Sequence, residues 1–170
     1  MDLGYAVLRL LHVGLGVFWA GTVFFTTFLL MPAMMDAGPD SAKVMAGLER
    51  RGMLVVLPVV AIITIVTGFW MYFRVSGGAA DWARSPTGMA LGVGGATAVL
   101  ALILGFTVMR PTQMKTGSVA AALAATPEGP ERAALAATLQ KLRSRMVAGS
   151  RLVAFLILIT VVLMAVARYL

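Results

Sequence analysis

The chain has 170 residues, of which 60% are hydrophobic and 12% are charged, about half the charged share of a soluble domain. With no cysteine and one histidine, disulfides, iron–sulfur clusters, thiolate zinc sites, cysteine nucleophiles and any single-chain histidine cage are excluded. None of the seven acidic residues falls inside an apolar block, which argues against a paired-carboxylate hydrolase.

The apolar residues gather into four blocks, each long enough for a helix that crosses the hydrocarbon core with about 20 residues. The runs are continuous rather than alternating, so helices are predicted and membrane strands are not. The fold class expected is all-α: a polytopic membrane protein whose single domain, residues 1–170, is a bundle of four transmembrane helices. The first span covers about 3–31 and is interrupted only by Arg9 and His12. It lacks a basic start and is too long for a signal-peptide core, so it reads as a retained helix. A polar loop from Met34 to Gly52 follows, in which Asp40 or Ser41 is expected to cap a short helix running through Lys43 to Arg51. The second span covers about 53–73, with Pro58 freeing the carbonyl near Leu54 and with Thr64 and Thr67 able to satisfy carbonyls.

Trp70 and Tyr72 close that span and Trp82 precedes the next, where amphipathic rings suit the headgroup level. Val75 to Thr87 reads as a short turn. The third span, about 88–109, carries Gly88, Gly92 and Ala96 at four-residue steps, a pattern for close helix packing. The third loop, Pro111 to Ala148, repeats AALAAT at Ala121–Thr126 and Ala133–Thr138. Within it, Leu135, Leu139, Leu142 and Met146 share one face of an amphipathic helix over about 131–147. Pro130 and Glu131 suit its first turn. No breaker except Gly149 separates it from the fourth span, about 149–167, which Tyr169 follows, so one continuous helix is expected there.

Ten of the fourteen basic residues fall in the first and third loops and four at the termini and second loop. Positive charge stays on the cytoplasmic side. Both termini are therefore expected outside and loops 1 and 3 in the cytoplasm, in a bacterial-type inner (plasma) membrane. The net charge of +7 then reflects topology, with membrane lipids as contacts and no nucleic-acid role.

Ionisable groups within a span point to function. Tyr5, Arg9, His12, Gly16 and Trp19 recur at steps of four and three and form one helical stripe. A neutral imidazole ligates haem iron, copper or zinc, Gly16 leaves room for a flat ligand, and Arg9 suits an anionic group such as a propionate. The plainer alternative is an anchoring Arg9, a His12 bonded to a carbonyl, and glycines that let helices approach. Among the twelve methionines only Met31, Met34 and Met35 cluster, so copper handling by methionine alone is a minor reading.

The string LHVGLGVFWAG, with His12 seven residues before Trp19, resembles the first helix of HemJ-type protoporphyrinogen oxidases and copper-resistance-D-like membrane proteins. LERRGMLVVLPVVAIITIVTGFWMY, Leu48 to Tyr72, resembles their second helix in its acidic-basic-basic entry, proline, Thr-Gly pair and aromatics. The resemblance covers about a third of the chain. It implies haem b as cofactor, held by His12, with Arg9 beside a propionate and Tyr5, Gly16 and Trp19 around the ring; an oxidoreductase activity would follow. The family's further basic residue in a later helix has no counterpart, because Gly88 to Met109 is without charge. A sixth ligand would then be Met89 or Met71, or the His12 of a second subunit in a symmetric dimer. The leading expectation is a haem-binding membrane protein with a redox or porphyrin-related role. Two others stay open: a small-solute or metal transporter or channel acting as a homo-oligomer, and an accessory subunit that docks a membrane protein partner or anionic lipid through Glu131 to Arg151.

Overall fold

The computed structural model describes residues 2–38 and 41–170. Four long helices dominate: α1 (Leu3–Asp36), α3 (Met53–Ser76), α5 (Pro86–Ala125) and α6 (Pro130–Tyr169). Two short ones, α2 (Ser41–Arg50) and α4 (Ala80–Ala83), lie in the loops. No strand occurs among the described residues. All four long helices are apolar and long enough to cross a bilayer, and at most 28% of the most apolar stretch of any of them is buried. Their outer faces carry Val17, Phe18, Phe25, Val66, Phe73 and Phe155. Such surface is stable against lipid and not against water.

Several boundaries differ from expectation. Asp40 lies outside the described residues. Ser41 is not a cap: it is the first residue of α2, and its hydroxyl donates to the Gly38 carbonyl at 2.6 Å. The second loop is not a plain turn, since α4 sits within it. The helix of the third span does not stop at Met109, because α5 continues to Ala125 and turns the start of the third loop into helix. At 1.5 Å per residue α5 is about 60 Å long, twice the hydrocarbon thickness of about 30 Å. With the first half of α6 it makes a helical arm that projects from one end of the bundle, here called the hairpin end. The opposite, terminal end carries the start of α1 and the end of α6.

Two prolines explain how those long helices persist. Pro32 and Pro111 each follow a π-helical segment by two residues, Thr26–Leu30 and Gly105–Met109. A proline ring collides with the carbonyl four residues earlier, here Phe28 and Thr107, and both lie inside the π segments. The wider turn moves that carbonyl aside, so the helix continues. The third apolar block ends with the second of these segments, at Met109.

The core is built on small residues. Ala61, Ala98 and Ala101 are buried together with Trp19, Val153, Leu156 and Ile157, and Ala154 is buried as well. Without a hydrophobic drive in lipid, close backbone approach supplies the packing. On α5 the buried stripe facing α6 is Ala90, Gly94, Ala98 and Ala101; of the expected Gly88, Gly92 and Ala96, only Gly88 is buried. The shift of two residues turns the stripe to the opposite face, and Gly94 meets Leu163 and Met164 of α6. Gly88 instead lies against the Trp82 carbonyl. Across the same pair, the Thr97 and Thr160 hydroxyls meet at 2.9 Å and Thr160 also donates to the Gly94 carbonyl at 3.1 Å. α6 runs unbroken from Pro130 to Val166, as expected. Gly149 is no breaker: it makes room for the Met109 sulfur. In the arm, Leu139 is buried and Leu135, Leu142 and Met146 are half-buried. The two AALAAT copies end one helix and begin the next. Arg132 closes that turn by donating to the Leu123 and Thr126 carbonyls at 3.0 and 2.8 Å, which caps the end of α5.

Candidate functional site

α1 and α3 run antiparallel, and their contacts define a register. Tyr5 lies beside Arg74, His12 beside Gly68 and Gly16 beside Thr64. Paired numbers sum to about 80, which sets Arg9 level with Met71.

His12 Nδ1 lies 2.8 Å from the Thr64 carbonyl oxygen. A carbonyl only accepts, so Nδ1 is the protonated nitrogen and donates. The Thr67 hydroxyl stands 3.5 Å from the same nitrogen and is itself held on its own helix, donating to the Ile63 and Thr64 carbonyls at 2.7 and 3.0 Å. The ring rests on Gly68, where a Cβ would come within 2.6 Å of His12 Cε1. Only glycine leaves space for the imidazole at that height. In the neutral ring this fixes the tautomer and leaves the lone pair on Nε2. Nε2 has no hydrogen-bond partner among the described residues, yet no buried side-chain atom there lacks one. Nε2 is therefore not sealed inside the helix pair, in keeping with the half-buried state of His12.

The rest of the expected stripe divides. Tyr5 is half-buried beneath the Arg74 guanidinium, 6.0 Å from its ring centre. Arg9 is exposed one turn from His12, with no ion pair among the described residues. Gly16 faces the Thr64 methyl, 3.5 Å from where a Cβ would sit, so its free space is taken by α3 rather than by a ligand slot. Trp19 belongs to the core. His12 and Arg9 thus remain available, whereas Gly16 and Trp19 are spent on helix packing. Of the methionines named as sixth ligands, Met89 is exposed on α5. Met71 is half-buried and shares the α3 face of Thr64 and Gly68 by its i, i+4, i+7 spacing.

No family model matches the sequence, and no curated protein or solved structure matches it. No group of three or more His, Cys, Asp or Glu that could hold a metal ion occurs among the described residues.

The terminal end adds a contact that sequence reading missed. Asp2 accepts from the Gly4 amide at 3.0 Å and so caps α1, and it pairs with Arg74 at the end of α3. The Arg74 hydrogen bond, with help from the Gly4 amide and the nearby positive charge, holds the Asp2 carboxyl below its ordinary value of 3.8. Thr64, Thr67 and Gly68 were visible in the sequence only as carbonyl-satisfying residues and a Thr-Gly pair. Their role as the seat of His12 needed the inter-helix register.

Proposed function

We propose that this protein is a haem-associated membrane protein of the bacterial-type inner membrane with a redox or porphyrin-related role. The observation that carries the reading is the seating of His12: Nδ1 donates to the Thr64 carbonyl, and the Nε2 lone pair stays uncommitted. A backbone carbonyl behind a ligating imidazole fixes its orientation and raises its basicity. His12 is the residue of this helix pair that would hold the haem iron, through Nε2. Arg9, level with Met71 and unpaired, would suit a carboxylate at the membrane surface. The two segments that carry the HemJ-like resemblance also meet here, since the Thr67–Gly68 pair touches His12.

Bound haem supplies one-electron chemistry whose potential depends on ligand, burial and hydrogen bonding. What this chain contributes is orientation of the imidazole, an apolar surround and a cation nearby. Gly16 packs against Thr64 and Trp19 lies in the core, so neither builds a slot for a flat ligand, and His12 and Arg9 are the residues that would hold it. The excess of basic residues at the hairpin end supports placing that end in the cytoplasm. The solute-path alternative has less support, because the hydroxyls of Thr64, Thr67, Thr97 and Thr160 already bond to carbonyls.

The test is haem content after expression with haem supplied. Wild-type protein is expected to retain haem and His12→Ala to lose it while keeping its helical content. Full haem retention by His12→Ala would overturn the proposal.

A further inference from the structure

At the hairpin end, far from His12, two adjoining grooves share Met35, Val147 and Arg151. The larger, about 770 Å³, lies between the arm helices and the end of α1. Its apolar wall is Met35, Leu123, Leu139 and Val147, and Arg143 and Arg151 stand on its α6 side with Gln140 and Ser144 between and beside them. The smaller, about 230 Å³, continues along α1 past Met31 and Thr27 to Asp36.

Charge and position select an occupant. Arg143 and Arg151 are eight residues apart on one helix, about 12 Å along its axis. Both are exposed. Asp2–Arg74 and Asp81–Arg84 pair at the other end of the bundle, and neither Arg143 nor Arg151 has an ion-pair partner among the described residues. Asp36 borders only the smaller groove and forms no ion pair with Arg151, so the larger groove is lined by two arginines and no acidic residue. Arg151 stands where α6 enters its apolar stretch, at headgroup level. Both π segments flank this place: Thr27, in the first, lies 3.5 Å from the Ser150 carbonyl, and Met109, in the second, packs on Gly149. Such segments occur often at functional sites. A groove with an apolar floor, two unpaired cations and a place at the membrane surface matches a molecule with an anionic head and a hydrocarbon tail.

We propose that this groove binds an anionic phospholipid of the surrounding bilayer, with its phosphate between Arg143 and Arg151 and an acyl chain along Met35, Leu139 and Val147. This goes beyond general attraction of a basic surface, because Lys141 and Arg145 on the same helix do not line the groove. It is independent of haem binding at His12.

The test is native mass spectrometry of the full chain in detergent, titrated with dioleoyl-phosphatidylglycerol or dioleoyl-phosphatidylcholine. Wild type is expected to retain phosphatidylglycerol selectively. Arg143→Gln and Arg151→Gln should each weaken retention about fivefold, whereas Arg143→Lys keeps most of it. The control Lys141→Gln/Arg145→Gln removes as much charge as the groove double variant and should leave retention unchanged. Equal loss in that control would reduce the site to surface charge and overturn the proposal. So would equal retention of phosphatidylcholine, or displacement of the lipid by excess inorganic phosphate, which would make a soluble phosphate the ligand. Circular dichroism on each variant separates loss of binding from loss of fold; should a glutamine variant unfold, the lysine variant paired with the control decides the matter.

Discussion

The imidazole of His12 occupies the volume that a side chain at Gly68 would fill, with Cε1 2.6 Å from the position of a Cβ there. This contact ties the only histidine to the second span and holds Nδ1 against the Thr64 carbonyl.

Gly68→Ala should therefore push the ring off its seat and destabilise the α1–α3 pair by about 1–3 kcal/mol, the usual cost of overpacking. Thermal unfolding in detergent measures it. In a His12→Ala background the same change should cost much less, because the clashing group is gone. Equal cost in both backgrounds would show that the two residues are uncoupled.

Two other glycines separate a rigid neighbour from a yielding one. A Cβ at Gly88 would run into the Trp82 carbonyl, and one at Gly149 would meet the Met109 sulfur at 2.5 Å. Backbone cannot move aside cheaply, whereas a methionine side chain can. Gly88→Ala should lower the melting temperature markedly and Gly149→Ala only slightly. The Gly88 change should also disturb the 5.2 Å edge-to-face contact of Tyr72 with Trp82, read as a shift in tryptophan fluorescence.

The Thr97–Thr160 bond joins α5 and α6 through their apolar stretches. Hydrogen bonds between membrane helices average about 0.6 kcal/mol and reach about 1.7. A double-mutant cycle with Thr97→Val and Thr160→Val should return a coupling in that range. A coupling of zero would mean that the two hydroxyls do not bond each other.

Acid should loosen the terminal end. The folded-state value of Asp2 lies below its ordinary 3.8, so its contribution to stability is complete above that pH. The contribution is lost as pH falls through the depressed folded value. Melting curves should show an acid-dependent component that Asp2→Asn and Arg74→Gln each abolish. The component is small and salt-sensitive because the pair is exposed. If Asp2→Asn leaves the acid profile unchanged, the tie between α1 and α3 does not operate.

Much of the architecture could be read in the residues, because a bilayer demands long apolar runs. The four spans and the unbroken α6 follow from that demand and from Pro130 and Glu131 at the start of α6. The helical arm of α5 could not be read in the same way. Pro111 signals a stop, and nothing in a linear pattern announces that a π segment will move the Thr107 carbonyl out of its way. The packing stripe on α5 was ambiguous for another reason: Gly88, Gly92 and Ala96 lie on one face and Ala90, Gly94 and Ala98 on another, both rich in small residues. Choosing between them required the position of α6. At the site, Arg9 and His12 stood out as polar groups in an apolar helix. The fate of Gly16 and Trp19 did not, since a helical stripe facing a ligand and one facing a neighbouring helix have the same spacing.

The central claim is that Nε2 of His12 is a ligand held ready by Thr64. The most direct measurement is the visible absorbance spectrum of haem-supplied protein before and after dithionite, for wild type, His12→Gly, and His12→Gly with free imidazole. The account predicts a Soret band in wild type that shifts on reduction, its loss in His12→Gly, and its return when imidazole fills the vacated seat over Gly68. A flat spectrum from folded wild type, or an unchanged band in His12→Gly without imidazole, would contradict it.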